Sequence, residues 1–316
     1  MSVELALFGE ICREDVPLAG GKGANLGDMA QAGLSIPPGF VICAPVYKGA
    51  VECCGLDVKI DELLAGLDYH NAEQLQGVER QIRGLFEYLE IDDELCDLIA
   101  GRYQDLGPDV RVAVRSSATA EDLAGASFAG QQETILNVRG IEEILDAVRR
   151  CWSSLYTSQA IFYRQQRGFG STQVSMAVVV QTMVCSEKSG VIFTVDPVLR
   201  NPYNMVIEAV WGLGEGIVSG AITPDHYRVD RETYEIVYQF VPDKKVMFCQ
   251  NDRHGVVKLA VPPHKVSARV VTDEELEELV DLGNRVEEHF DCPQDIEWGI
   301  EEGQIYLLQS RPITCL

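Results

Sequence analysis

Helical and strand-type hydrophobic patterns occupy different parts of this chain, and that division constrains the fold more than any other feature. Residues 57–103 carry Leu, Glu and Ile at three- and four-residue spacings, which predicts mostly helix. Residues 174–241 instead contain β-branched runs bounded by Gly, Pro and Asp, which predict strands. The two patterns do not alternate as a regular βαβ repeat would require. The sequence therefore predicts an α+β protein with mixed, largely antiparallel sheets.

Local signals place the remaining elements. Short apolar runs predict strands at 40–43, 110–115 and 131–138, and residues 141–167 predict one long helix or two stacked helices. Thr272 and Glu275 have capping-box spacing, so a last helix should begin there and run to about residue 290. A polar Ser-Glu-Lys-Ser-Gly segment at 186–190 predicts a boundary between an N-terminal lobe, 1–189, and a C-terminal lobe, 190–316.

The charge balance excludes several classes of partner. Asp and Glu outnumber Lys and Arg by 49 to 26, and a net charge of −23 repels nucleic acid and anionic membranes. The chain has no uninterrupted apolar run long enough for a membrane span and no basic segment typical of a signal peptide. None of the 10 cysteines forms a C-x-x-C pair, so neither a zinc site nor a redox motif is expected, and we expect a cytoplasmic protein. An anionic small molecule could bind only where cations are locally concentrated.

A first candidate site is the glycine turn at residues 19–23, which is followed by a predicted helix at 24–32. Glycines let the backbone approach a ligand, a helix N-terminus presents N–H groups, and Lys22 adds a positive charge, so phosphate fits this motif. It lacks the spacing of a Walker A loop. The alternative is an ordinary tight turn with a solvated lysine.

Two further segments have the chemistry of a nucleotide site. Arg115 ends a predicted strand and precedes a loop rich in Gly, Ala and Ser, so its guanidinium could grip phosphate; alternatively it pairs with Glu121 or Asp122 on the surface. The apolar strand at 178–184 could present backbone N–H and C=O groups to an adenine edge, or could be a plain core strand.

The C-terminal hairpin, predicted at 296–308, gives the most informative pattern. Side chains alternate along a strand, so Asp295 and Glu297 share one face, and so do Gln309 and Arg311. A three-residue turn at 302–304 would place Glu297 opposite Gln309 and Asp295 opposite Arg311. Two carboxylates, an amide oxygen and a guanidinium could then bind Mg²⁺ and a phosphate together. The alternative is a charged solvent face with an Asp295–Arg311 surface ion pair.

Two further features are weaker indications of function. The segment 211–216, Trp-Gly-Leu-Gly-Glu-Gly, lacks the third glycine of a dinucleotide fingerprint and predicts a turn near the nucleotide. Each of the five histidines, His226 included, is expected to be structural or solvated.

Several segments in order resemble one family. They are AGGKGANLGDMAQAGLSIPPGFVI, VRSSATAEDLAGASFAGQQETILNV, SLYTSQAIFYR, GVIFTVDP, EAVWGLGEGIVSGAITPDHY and DIEWGIEEGQIYLLQSRPIT. Together they resemble the N-terminal ATP-binding domain of phosphoenolpyruvate synthase and pyruvate phosphate dikinase over about residues 8–314. The resemblance implies an ATP-grasp fold, in which two lobes hold the nucleotide in the cleft between them.

The resemblance also implies roles for individual residues. Lys22, Arg115 and Arg311 would contact phosphates and serve catalysis, and Gly130 and Thr134 would lie by the phosphates. Adenine would be held by Gln181, Thr182, Met183 and Val184. Glu297 and Gln309 would bind Mg²⁺ and nucleotide, with Asp295 as a further metal ligand. The implied cofactors are therefore ATP and Mg²⁺.

The same resemblance implies partners that this sequence does not contain. Family enzymes combine the ATP domain with a domain whose histidine carries the phosphoryl group and with an acceptor-binding barrel, and no histidine here has a Thr-Ser-His context. We therefore expect a truncated chain or one subunit of a split enzyme, which presents ATP·Mg to a carrier histidine elsewhere and yields AMP and phosphate in the full cycle. Rifampin phosphotransferases and split phenylphosphate synthases are alternatives that use the same domain. A non-catalytic nucleotide sensor and an unrelated α+β scaffold are alternatives of other classes.

Overall fold

The computed structural model describes residues 3–119, 133–168, 174–251 and 255–314. The chain forms two compact units. The first contains residues up to Asp28 together with Pro38–Met183, and the second contains Met29–Pro37 together with the residues from Val184 onward. The predicted lobe boundary between residues 189 and 190 falls inside the strand Lys188–Phe193, which belongs wholly to the second unit. The assignment of two nucleotide-holding lobes stays a prediction.

The first unit combines a sheet with several helices. Its strands are β1 (Leu5–Leu7), β2 (Gly39–Ile42), β3 (Val112–Ala118), β4 (Thr134–Val138) and β5 (Met176–Thr182). Its helices are α1 (Val16–Gln31, which ends past the point of division), α2 (Ala44–Cys53), α3 (Leu56–Leu64), α4 (Ala72–Glu87), α5 (Asp93–Asp105), α6 (Ile141–Ser153) and α7 (Ser158–Arg167). A short 3₁₀ turn, Ser154–Tyr156, separates α6 from α7, so the helical pattern at 141–167 is two helices.

The sheet of the first unit has the strand order β1-β2-β5-β3-β4, and every pair is antiparallel. Alternate residues of β3 and β5, among them Val114 and Val178, belong to the buried core with Phe86 and Trp152 of the helices. The opposite face of the sheet meets α1, where the Cβ-less backbone of Gly23 lies against the Val41 side chain. The central strands are therefore covered on both faces.

The second unit has a six-stranded sheet and a separate hairpin. Its strands are β6 (Lys188–Phe193), β7 (Asn204–Trp211), β8 (Asp225–Asp230), β9 (Ile236–Phe240), β10 (Val246–Gln250), β11 (Val256–Ala260), β12 (Gln294–Glu301) and β13 (Gln304–Pro312). Its helices are α8 (Glu215–Val218) and α9 (Asp273–Phe290). The sheet order is β13-β12-β6-β7-β8-β9, while β10 and β11 pair with each other.

Helix α9 covers one face of this sheet. Its Gly283 lies against Met205 and Ile192, where an added Cβ would come within 2.9 Å of the Met205 sulfur. The predicted capping box is confirmed, because Thr272 Oγ1 accepts from the Glu275 N–H at 3.2 Å and Glu275 Oε2 accepts from the Thr272 N–H at 2.8 Å. The other face of the sheet carries the polar residues of the C-terminal hairpin.

The predicted fold class is confirmed at the level of mixed α+β structure with antiparallel sheets, since the paired strands of the described residues are all antiparallel. The β10–β11 hairpin was not predicted, because its five-residue strands are only half-buried and lack a clear alternation of apolar and polar residues. Among the described residues, no helix has both the length and the apolar character that crossing a bilayer requires.

Candidate functional site

The glycine motif of the first unit is fixed against strand β3. Helix α1 is interrupted at Gly20, which has φ 68° and ψ 172°, and a Cβ there would lie 2.1 Å from the Ser117 carbonyl oxygen. Ser117 Oγ accepts from the Gly23 N–H at 3.1 Å and donates to the Ala19 carbonyl at 2.8 Å. The predicted turn over residues 19–23 is therefore wrong in extent: only Gly20 leaves the helix, because close docking on β3 forces that one residue out of helical geometry.

This docking determines where Lys22 lies. Its side chain is buried, with 8% of the residue exposed, and Nζ donates to the Ser116 carbonyl at 3.2 Å. An ordinary turn would leave the ammonium group in water, so the interpretation as a solvated lysine does not hold. Lys22 instead places its charge beside β3.

Arg115 lies in that same strand, 7% exposed. It is paired with Thr134 of β4 and with Val179 of β5. Side chains alternate along a strand, so Arg115 shares a face with Ser117, which is the face that meets α1. The first unit thus brings Lys22, Arg115 and Thr134 together, whereas Gly130, like Glu121 and Asp122, lies outside the described residues.

The predicted adenine segment begins at the end of β5. Gln181 is paired with Ala113 and therefore lies on the Arg115 face, with only 2% of the residue exposed. Its Nε2 has no hydrogen-bond partner among the described residues. The backbone N–H of Thr182 donates to Pro38 at 2.8 Å, and that of Met183 donates to Arg111 at 2.9 Å. Because these two N–H groups already have partners, they are not available to donate to adenine, as we predicted that backbone groups of this strand would.

The second unit contains a cavity of about 300 Å³, and Cys185, the residue after Val184, is part of its lining. Its lining combines the apolar side chains of Leu213 and Met247 with the polar side chain of Gln250. The Nε2 atom of Gln250 is buried and has no hydrogen-bond partner among the described residues. The lining also includes Glu187 and Lys265, so the cavity offers a ligand both apolar and polar contacts.

The C-terminal hairpin has the predicted pairing. Glu297 is opposite Gln309, and Asp295 is opposite Arg311. The predicted three-residue turn is wrong: Glu301 pairs with Gln304, so the turn has two central residues, with φ values of 51° and 78°. The irregularity between Glu297 and Trp298 adds one residue, Leu308, to β13, and this bulge restores the predicted register.

The four polar side chains of the hairpin occupy one face. Arg311 donates from Nε and Nη2 to Asp295 Oδ2 at 2.8 and 2.7 Å. This is the ion pair that the alternative of a charged solvent face predicted. Arg311 is 45% exposed, but Asp295 is only 14% exposed and Gln309 is buried. Burial raises the pKa of Asp295, Arg311 opposes that rise, and the charges of Glu297 and Glu208 add to it. The face is therefore short of positive charge, which a cation could supply.

Strand register brings residues to this face that sequence reasoning missed. Across the sheet, Glu297 lies opposite Val191, Val191 opposite Glu208, and Glu208 opposite His226. His226 Nδ1 lies 3.3 Å from Glu208 Oε1, so this histidine faces the candidate site. The signal in the sequence was a glutamate in the middle of the apolar strand Met205–Val210.

Glu215 is a further missed residue, at the start of α8. Burial raises its pKa, and the nearby charge of Glu297 raises it further. The segment 211–216 therefore contributes a carboxylate to the site in addition to the predicted turn.

The oxygen atoms of this face could bind Mg²⁺ only together with a phosphate that supplies the remaining ligands. No group of three or more His, Cys, Asp or Glu side chains in the described part of the chain could hold a metal ion unaided. Mg²⁺ prefers oxygen ligands and is commonly bound by one or two carboxylates, waters and substrate phosphates. Asp295 and Glu297 with the Gln309 amide oxygen fit that incomplete ligand set.

Comparison with known proteins places these residues in a family. Residues 16–316 match the model described as pyruvate phosphate dikinase, AMP/ATP-binding domain. A probable phosphoenolpyruvate synthase of Methanothermobacter thermautotrophicus is 47% identical over 99% of this chain and 46% of its own length. That of Archaeoglobus fulgidus is 49% identical over 97% of this chain and 41% of its own. The rifampicin phosphotransferase of Bacillus cereus is 39% identical over 98% of this chain and 36% of its own.

Solved structures give a weaker comparison. The D-alanine–D-alanine ligase of Helicobacter pylori has 9% identity and a TM-score of 0.30, covering 76% of this chain and 54% of that one. The phosphoribosylglycinamide synthetase of Anaerococcus prevotii has 8% identity and a TM-score of 0.24, covering 91% and 47%. TM-scores this low do not identify a shared fold.

The chain spans less than half the length of these curated relatives. Nearly all of it nevertheless aligns with them, and the family model matches it from residue 16 onward. The chain belongs to the family of pyruvate phosphate dikinase AMP/ATP-binding domains.

Proposed function

We propose that this chain is the ATP·Mg-binding component of a dikinase-type phosphotransferase similar to phosphoenolpyruvate synthase. The observation that carries the proposal is the hairpin register, which pairs Glu297 with Gln309 and Asp295 with Arg311. This arrangement gives one face oxygen ligands for a cation and a guanidinium for the phosphate that the cation would bridge. The family match supports ATP as the nucleotide.

The proposed fold is an ATP-grasp, with the nucleotide in a cleft between lobes 1–189 and 190–316. In it Lys22, Arg115 and Arg311 act on the phosphates, with Gly130 and Thr134 beside them. The positions of Lys22 and Arg115 support these roles, because both are buried at β3 and place positive charge there for phosphate oxygens.

Adenine would be held by the segment Gln181–Val184. The buried Gln181 Nε2, which lacks a partner among the described residues, supports a ligand acceptor at this point. In the second unit, the cavity lined by Leu213 and Gln250 would offer further surface for a base.

Phosphoryl transfer needs positioning and charge neutralisation more than covalent help. Glu297 and Gln309 would hold Mg²⁺ with Asp295, and the bound ion would neutralise charge on the phosphates. Arg311 would turn from Asp295 toward phosphate oxygen and keep the transferred group in line. Each charged contact contributes about 1.5–3 kcal/mol.

The acceptor is proposed to be a phosphocarrier histidine on another domain or subunit, with a further acceptor-binding part completing the cycle to AMP and phosphate. The greater length of the relatives supports such additional parts. A rifampin phosphotransferase is the second candidate, favoured by the rifampicin phosphotransferases among the relatives. We further propose a cytoplasmic location, where ATP is available.

Titration calorimetry with ATP and Mg²⁺ tests the proposal. Lys22→Ala and Arg311→Ala should each weaken binding at least tenfold, since one lost charged contact exceeds the 1.4 kcal/mol that tenfold requires. Arg139→Ala is the matched control, because Arg139 forms a similar exposed pair with Asp109 and neither residue is a proposed nucleotide ligand. Unchanged affinity in both site variants would contradict the proposed site.

A second assay separates an enzyme from a nucleotide sensor. Labelled ATP should yield labelled AMP when a carrier-histidine protein of the family is added, because the carrier receives the two terminal phosphoryl groups together and the outer one then leaves as phosphate. ATP binding without AMP formation across such carriers would favour the sensor.

A further inference from the structure

One carboxylate outside the candidate site joins helices α4 and α6 to the strand that carries Arg115. Glu133 directly precedes β4, and its Oε1 lies 2.6 Å from Arg150 Nη2 of α6. Its Oε2 lies 3.5 Å from Arg83 Nη2 of α4. Each carboxylate oxygen thus faces a guanidinium from a different helix.

The backbone of the same residue contacts β3. The Glu133 carbonyl accepts from the Ser116 N–H at 3.0 Å and from Ser116 Oγ at 3.1 Å. The Ser116 carbonyl in turn accepts from Lys22 Nζ at 3.2 Å. A continuous chain of polar contacts therefore runs from the two arginines through Glu133 and Ser116 to Lys22.

Neighbouring pairs extend this connection to Arg115. The next residue after Glu133, Thr134, is paired with Arg115 in the sheet. The Glu133 side chain is 23% exposed, and those of its partners Arg150 and Arg83 are 56% and 33% exposed. A shift of residue 133 would displace both strands at the point where Lys22, Arg115 and Thr134 meet.

We infer that Glu133 is a positioning residue, which holds Lys22 and Arg115 in register for the nucleotide phosphates through its pairs with Arg150 and Arg83. This inference rests on the proposed function, because it takes those two cations as phosphate ligands. Glu133 itself touches no nucleotide. Its removal should weaken the binding of phosphates and leave the binding of the nucleoside part unchanged.

The test compares ATP·Mg with adenosine as ligands of the wild-type chain and of Glu133→Gln. The variant keeps the size of the side chain and the backbone carbonyl but loses the charge that the two arginines face. ATP·Mg should bind about tenfold more weakly, while adenosine affinity stays within twofold. Equal affinity for ATP·Mg in both proteins would overturn the inference, and so would equal losses for both ligands, because a merely structural defect lowers both.

A double-mutant cycle tests whether the effect passes through Arg150. Arg150→Gln should weaken ATP·Mg binding in the same direction, and the double variant should be no worse than Glu133→Gln. Fully additive losses would overturn the pairing. Arg150→Gln also provides the test if Glu133→Gln fails to fold.

Glu79→Gln is the matched control. Glu79 also contacts Arg83, at 3.5 Å, but its other partners are the N–H and hydroxyl of Ser158 at the start of α7. It should lower the melting temperature without a loss specific to ATP, and an ATP-specific loss equal to that of Glu133→Gln would contradict the inference. A wild-type chain that binds no ATP would refute the proposed function, whereas a binding wild type with an unaffected Glu133→Gln refutes the inference alone.

Discussion

Gly20→Ala tests the docking of the glycine motif on β3. At φ 68° and ψ 172°, a backbone region that is essentially restricted to glycine, an alanine costs about 1–3 kcal/mol. The new Cβ would also lie 2.1 Å from the backbone oxygen of Ser117 and 2.3 Å from its Oγ. Forcing a strand and a helix apart in a packed interior costs about 1–3 kcal/mol more. The two effects together predict a loss of about 2–6 kcal/mol in the free energy of unfolding.

Gly66→Ala is the matched control for this measurement. Gly66 has φ 73°, but an added Cβ there would meet no atom within 4 Å. It should therefore lose only about 1–2 kcal/mol, from the backbone conformation alone. The excess loss in Gly20→Ala measures the steric cost at Ser117 together with the added backbone cost of ψ 172° at Gly20.

Urea unfolding followed by circular dichroism gives both free energies, provided that the variants share the slope of the wild type. Gly20→Ala should also weaken ATP·Mg binding, because Lys22 lies two residues beyond the displaced point. Equal free-energy losses in Gly20→Ala and Gly66→Ala would refute the claim that the turn is pressed against β3.

Two further perturbations have outcomes that the structure fixes. Lys244→Met should lower the free energy of unfolding in urea by about 3–5 kcal/mol, because it leaves the carboxylate of Asp225 buried without its cation. The control Lys48→Met, which breaks an exposed pair with Glu52, should lower it by less than about 1 kcal/mol. Similar losses in the two variants would contradict this account. Burial raises the pKa of Asp295 above its ordinary value of 3.8, so the folded state holds the Asp295 proton more tightly than the unfolded state does. The protonated carboxyl therefore stabilises the fold at low pH, and this stabilisation is lost as pH rises through the pKa of the folded state. The free energy of unfolding of the wild type relative to Asp295→Asn should therefore fall as pH rises above about 4. A difference that is constant or that rises with pH would show that burial does not destabilise the ionised form of Asp295.

The pairing of the C-terminal hairpin could be predicted because it depends on a local rule. Side chains alternate along a strand, so placing Asp295 opposite Arg311 also places Glu297 opposite Gln309. The turn itself could not be predicted. A three-residue turn and a two-residue turn followed by a bulge at Leu308 give the same register on the polar face.

The start of α9 was predictable for a similar reason. The capping box needs only Thr272 and Glu275 three residues apart, and both hydrogen bonds form within one turn of the chain. The extent of the glycine turn was not predictable, because helix α1 breaks where Ser117, almost a hundred residues away, leaves no room for a side chain on Gly20.

The polar side chains outside the hairpin escaped prediction because they reach the site through tertiary structure. Glu208 and His226 lie on β7 and β8, and only the order of strands in the sheet brings them onto the face of Glu297. Two N–H groups of the predicted adenine segment, those of Thr182 and Met183, already donate to the carbonyls of Pro38 and Arg111. A single sequence reveals neither the order of strands nor which backbone groups are already occupied.

A crystal structure of this chain with a non-hydrolysable ATP analogue and Mg²⁺ tests the central claim most directly. We expect Lys22 Nζ and the Arg311 guanidinium to contact oxygens of one triphosphate at about 2.7–3.2 Å. We expect an oxygen of Glu297 or Gln309 to bind the same Mg²⁺ at about 2.0–2.1 Å. A nucleotide that touches Lys22 while Glu297, Gln309 and Arg311 stay away from its phosphates and metal would contradict the account.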